Sequence, residues 1–127
     1  MKHGAMKLHL TTAENNNLIT GYSQSYIEVN KQRHARNLIV MPQQLIVDWD
    51  VKSFSNLTEQ HLSKIAEFNS EVVLLGVGEK HQFLHPKIYQ SLAVKGIPVE
   101  CMTTGAACRT YNILMSEGRN VLAALIL

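Results

Sequence analysis

Glu71-Val-Val-Leu-Leu-Gly-Val-Gly78 is a continuous apolar run that closes on two spaced glycines. A strand wetted on one face alternates apolar and polar residues, whereas one covered on both faces does not. Residues 71–76 therefore predict an inner strand of a parallel sheet. Downstream, His85-Pro86 opens a helix with proline at its first position. Ile88 and Leu92 follow at i, i+4, Tyr89 and Ala93 widen the stripe, and Gly96 ends it. Ile97-Pro-Val-Glu-Cys101 predicts the next strand. Thr103 or Thr104 caps a further helix to about Glu117, with Ala107, Tyr111 and Leu114 on one face and Gly118 as its stop. Val121–Leu127, almost wholly apolar, predicts the last strand, either central or at an edge; an edge would invite pairing with a second copy.

Upstream of the run, Asn56 or Thr58 caps a helix striped by Leu62, Ile65 and Ala66. Glu59 stands three residues after Asn56, at capping-box spacing. Strand, helix, strand, helix, strand gives parallel strands joined by right-handed crossovers. The first half alternates instead. Lys7-Leu-His-Leu10, Leu18-Ile-Thr-Gly21, Tyr26-Ile-Glu-Val29, Leu38-Ile-Val-Met41 (stopped at Pro42) and Gln44-Leu-Ile-Val-Asp48 predict a meander or paired hairpins. Lys31-Gln-Arg-His-Ala-Arg36 reads as a solvated hairpin end, and Trp49 either caps the core between the halves or marks a contact surface.

The chain has 127 residues, 46% hydrophobic and 17% charged, with a formal net charge of +2. Those values fit one globular domain over residues 6–127 that needs neither disulfide nor metal to close its core. Residues 1–5 read as a flexible or added N-terminus ahead of Met6. The scattered basic residues exclude a nucleic-acid groove. Two cysteines are no disulfide framework. No secretory signal is evident, and the longest apolar stretch is too short to span a membrane. A cytoplasmic location is expected.

In an open parallel sheet, ligands bind beyond the carboxyl ends of the strands. Two segments belong there: Gly76-Val-Gly-Glu-Lys80 and Met102-Thr-Thr-Gly-Ala-Ala-Cys-Arg109. Gly76 and Gly78 either make a plain turn or let backbone approach an anion, although no complete phosphate-loop motif follows. Thr103, Thr104 and Gly105 fall at a helix N-terminus, where free amides and the dipole favour negative charge. Arg109 offers a guanidinium for an anion or an internal carboxylate. Cys108 is either a packing residue or a thiol acidified by the dipole and Arg109. Glu79 and Glu100 are rim carboxylates. His81 and His85 lack the intervening glutamate of a metalloprotease pair. The ligand-binding candidates are thus Gly76, Gly78, Glu79, Thr103, Thr104, Gly105, Cys108 and Arg109. No catalytic set, metal or cofactor is expected.

Leu74-Leu-Gly-Val-Gly78, Phe83-Leu-His-Pro86, Gly96-Ile-Pro-Val-Glu100 and Ala106-Ala-Cys-Arg-Thr-Tyr-Asn112, followed by Glu117-Gly-Arg119, stand in the order and spacing of one family. Ile19-Thr-Gly-Tyr22 and Leu45–Trp49 are also similar. Over about residues 6–127 the chain resembles the small domain-of-unknown-function proteins that include the mitochondrial complex I assembly factor 3 and the adipogenesis-associated domain-containing protein. The resemblance implies a three-layer α/β fold, with a parallel central sheet and an adjoining antiparallel sheet. It implies an accessory or assembly role through protein contacts, and no established enzyme activity. Members often carry an acidic residue where this chain reads Met102-Thr-Thr104, which weakens acid–base chemistry at that rim. Three readings follow: an assembly-type protein with a protein partner, and with homodimerisation open; a binder of small anionic ligands; and a cysteine-dependent enzyme.

Overall fold

The computed structural model describes residues 16–127. The apolar run becomes β6 (Val72–Val77), buried at every position. It lies between two parallel neighbours, β7 (Val99–Met102) and β8 (Val121–Ile126). β4 (Leu38–Met41) pairs antiparallel with β8, and β5 (Gln44–Ile46) with β4, so the five-stranded order is β5-β4-β8-β6-β7. The central sheet is therefore parallel through its βαβ half and antiparallel through its hairpin half. A second antiparallel sheet of β1 (Ile19–Tyr22), β2 (Ile27–Val29) and β3 (Gln32–His34) adjoins it.

The pleat sorts β6 into two cores. Val73, Leu75 and Val77 face helices α1 (Glu59–Ala66) and α2 (Gln90–Val94). Val72 and Leu74 face α3 (Thr104–Ser116) and the small sheet. Three layers result, with the five-stranded sheet in the middle. Trp49 is buried in the first core, beside Val51 and Ile65.

Several local readings change. The α1 cap is Thr58, and its box partner is His61 rather than Glu59. Thr58 is the last extended residue, so the third helical position falls on His61, whose Nδ1 accepts the Thr58 N–H at 3.0 Å. Pro86 opens a 3-10 turn, Pro86–Tyr89, and only Gln90–Val94 is α-helical; Leu92 is buried but Ala93 faces solvent. Gln32–His34 is a strand rather than part of a loop. Asn30 and Lys31 both take positive φ (51° and 71°), the two-residue turn that matches strand twist. β8 is central, so the edge pairing considered for it has no edge to use. The Lys7–Leu10 strand and the reading of residues 1–5 lie outside the described residues.

Candidate functional site

Three parallel strands deliver their carboxyl ends to one rim. Gly78 follows β6, Thr103 follows β7, and Ile126 ends β8. An open hollow of about 530 Å³ lies there, lined by Tyr22, Ser23, Gln24, Gly78, Glu79, Thr103, Thr104, Gly105, Ile126 and Leu127. Five of the eight candidates read from sequence thus come together: Gly78, Glu79, Thr103, Thr104 and Gly105.

The chemistry of these groups is mostly committed to the fold. Thr103 caps α3, its hydroxyl accepting from the Ala106 amide at 3.3 Å. Thr104, 7% exposed, accepts from the Gly78 amide at 2.8 Å, and its hydroxyl donates to the Ile126 carbonyl. Its own amide donates to the Gly78 carbonyl at 2.9 Å. The backbone of Gly78 has φ +102°, a conformation that side chains disfavour. Among the described residues, the Gly105 amide is the one in this first helical turn left without a partner.

The remaining candidates sit elsewhere. Gly76 lies under the helix, not at the rim. A Cβ there would meet Leu125 Cδ2 and Thr104 Cα at 3.0 Å each, so its role is close packing of α3 on β6. Cys108 is 1% exposed and packs into the second core. Burial pushes its thiol up to about 12, far outweighing the lowering by Arg109. The thiol acidified by a helix dipole is therefore not realised: Cys108 sits too deep for its thiolate to be solvated. Arg109 is exposed on α3; its Nη1 donates to the Tyr22 hydroxyl, and its guanidinium carbon lies 5.9 Å from the Tyr22 ring centre. It meets no internal carboxylate and is not itself among the residues that line the hollow, which it reaches only through Tyr22.

Tyr22 is what sequence reasoning missed. It lines the hollow, holds Arg109 and covers Gly105, where a Cβ would stand 2.8 Å from Tyr22 Cε1. Tyr22 and Arg109 are 87 residues apart, and no local pattern links them. The one available signal was Tyr22 at the end of Ile19-Thr-Gly-Tyr22. Asn112 brings that strand to the helix: its Oδ1 accepts the Ile19 amide at 3.0 Å and its Nδ2 donates to the Ile19 carbonyl at 2.7 Å.

Comparison with known proteins places this geometry among relatives. The chain is 36% identical over 110 residues to NADH dehydrogenase [ubiquinone] 1 alpha subcomplex assembly factor 3 of Mus musculus, covering 85% of this chain and 59% of the relative. It spans about the same share of the human protein of that name, at 33% identity. A 13 kDa major membrane protein of Francisella tularensis is 38% identical over 77 residues, or 60% of this chain and 62% of that one. Among the described residues, no helix is long and apolar enough to cross a membrane. A crystal structure of a Bordetella parapertussis protein superposes with a TM-score of 0.83 at 38% identity, covering 87% of this chain and 95% of that one. Residues 19–126 match a family described as "Protein of unknown function (DUF498/DUF598)", and the chain belongs to that family.

Proposed function

We propose that this protein is a non-catalytic, assembly-type factor that works by binding another protein. The observation that carries this reading is the relationship to proteins named as assembly factors, over 85% of this chain. The rim chemistry supports it. Thr103, Thr104 and Gly78 spend their polar groups on one another and on the helix start. Cys108, the thiol nearest the start of α3, is sealed away from solvent. The test is affinity purification of the tagged full chain followed by size-exclusion chromatography. A stoichiometric protein partner that survives the column is the expected result. A chain that elutes alone from every extract, at the size of a monomer or a homodimer, would sink the proposal.

One observation favours a second reading, a small anionic ligand. Gly105 lines the hollow with its amide unpaired among the described residues, and Arg109 lies one helical turn further along the same helix. Thermal shift against phosphate, nucleotides and carboxylates tests it. A shift abolished in Arg109→Ala supports this reading, and a flat panel removes it.

A further inference from the structure

Among the described residues the two sheets have four edge strands, and three of them are blunted. On β1, the Asn112 side chain occupies both the amide and the carbonyl of Ile19. β5 is only three residues long, and its first residue, Gln44, is exposed. β3 is three residues long and polar, with Gln32 and Arg33 exposed. β7 is different. Among the described residues, no loop or side chain reaches the outer backbone groups of Val99–Met102. An unpaired edge of this kind is a template for a further strand.

The side chains around that edge are specific. Glu100 pairs in register with Leu74, so it projects from the α3 face of the sheet, where it is exposed. Val99 and Cys101 project from the opposite face. Leu84, in the loop after β6, packs against the same core. Its neighbour Phe83 is 88% exposed, and its ring is set edge-on to His81 at 5.0 Å. A solvent-facing phenylalanine adjoining a residue packed in the core that Val99 and Cys101 share is an anchor without an occupant.

We propose that β7 is a docking edge for an extended segment of a different protein. That segment carries a basic side chain opposite Glu100, flanked by apolar side chains that pack against Phe83. Charge decides the occupant. An antiparallel second copy centred on Glu100 sets two carboxylates directly opposite each other; centred on Cys101, it sets each carboxylate against methionine. Neither self-pairing supplies a counter-charge, and opposed like charges destabilise a strand pair.

This inference rests on the protein-contact reading above and names its surface. The ¹⁵N-labelled full chain is titrated with two synthetic heptapeptides of alternating valine and threonine, one with a central lysine and one with a central glutamate. The lysine peptide is expected to move the amides of residues 99–102 and Phe83, and to bind about two- to fivefold tighter than its twin, the span of a cross-strand charge pair. Glu100→Lys inverts that preference. Phe83→Ser, a change at a solvent-facing position, weakens both peptides while leaving the rest of the spectrum in place. Equal binding of the two peptides, or shifts centred on another edge, would overturn the assignment. So would concentration-dependent self-association through β7. A purified partner that still binds the Glu100→Lys, Phe83→Ser double variant at full strength also overturns it, yet leaves the assembly role standing. Absence of any partner strikes at the role itself.

Discussion

Thr104 and Gly78 clasp each other through two hydrogen bonds, the glycine amide to the threonine hydroxyl and the threonine amide to the glycine carbonyl, at 2.8 and 2.9 Å. The same hydroxyl donates to the carbonyl of Ile126, so one buried oxygen ties the ends of two strands to the start of a helix. Thr104→Val keeps the shape and removes the hydroxyl, leaving a half-buried amide and a buried carbonyl unsatisfied. It is expected to cost about 2–4 kcal/mol in denaturant unfolding: about 1–3 kcal/mol for the buried carbonyl, and about 1 kcal/mol for the amide, which water in the hollow can reach. Thr104→Ser should retain most of the stability.

Gly76 and Gly105 predict opposite outcomes for the same substitution. At Gly76 the added methyl meets backbone at Thr104 Cα, which cannot yield, so Gly76→Ala should destabilise by about 1–3 kcal/mol. At Gly105 the obstacle is the ring of Tyr22, 40% exposed and free to swing outward. There the gain in helix propensity, about 1 kcal/mol, offsets the lost contact. Gly105→Ala is expected to hold its melting temperature while the Tyr22 ring resonances move and the Arg109 contact is lost.

Alkaline pH should unfold this protein in a defined window. Burial raises the Cys108 thiol from 9.0 to about 12, and burial also raises the Tyr111 phenol. Both groups stay neutral in the folded state while the unfolded chain ionises. Their contribution is whole below the unfolded values and is lost as pH climbs past 9.0 for the thiol and 10.0 for the phenol. The slope is up to about 1.4 kcal/mol per pH unit for each group. Cys108→Ala and Tyr111→Phe should each flatten the alkaline limb of a stability–pH curve. An unaltered limb in both would show that other groups set it. Native Cys108 should also resist iodoacetamide at pH 8 and react once denatured.

Asn112 predicts a separable layer. Its amide completes the edge of β1 with two bonds to Ile19, and the Tyr111 hydroxyl adds a third tie by donating to the Asn17 carbonyl at 2.8 Å. Asn112→Ala should cost about 1–3 kcal/mol. Hydrogen exchange should locate the loss, with faster exchange in residues 19–34 and unchanged protection in β6 and β8.

What could be read from the chain was what one segment decides for itself. Residues 72–77 are apolar without a break because both faces are covered, and Leu38–Met41 stops at Pro42 for lack of a donor. Thr103 and Gly118 punctuate α3 as their chemistry requires. The remainder depends on distant neighbours. Gln32–His34 has no apolar alternation; it is a strand because β2 pairs with it and Arg33 stacks on Tyr26, 4.2 Å from the ring centre. His61 is not a usual box residue, yet its ring nitrogen does the work of a glutamate oxygen. At the rim, the convergence of Gly78 with Thr104 followed from strand direction. The burial of Cys108, the packing role of Gly76 and the arrival of Tyr22 depended on which face of α3 meets the sheet, and no single segment encodes that.

The strand order has a consequence for synthesis. β8 bonds β4 on one side and β6 on the other, and it comes after every other described element in the chain. Until residues 121–126 leave the ribosome, the β4–β5 hairpin and the β6–β7 pair share no backbone ladder, and each presents a bare apolar border. The nascent domain is therefore two unjoined pieces until its keystone arrives, and during that interval it most needs a chaperone's cover.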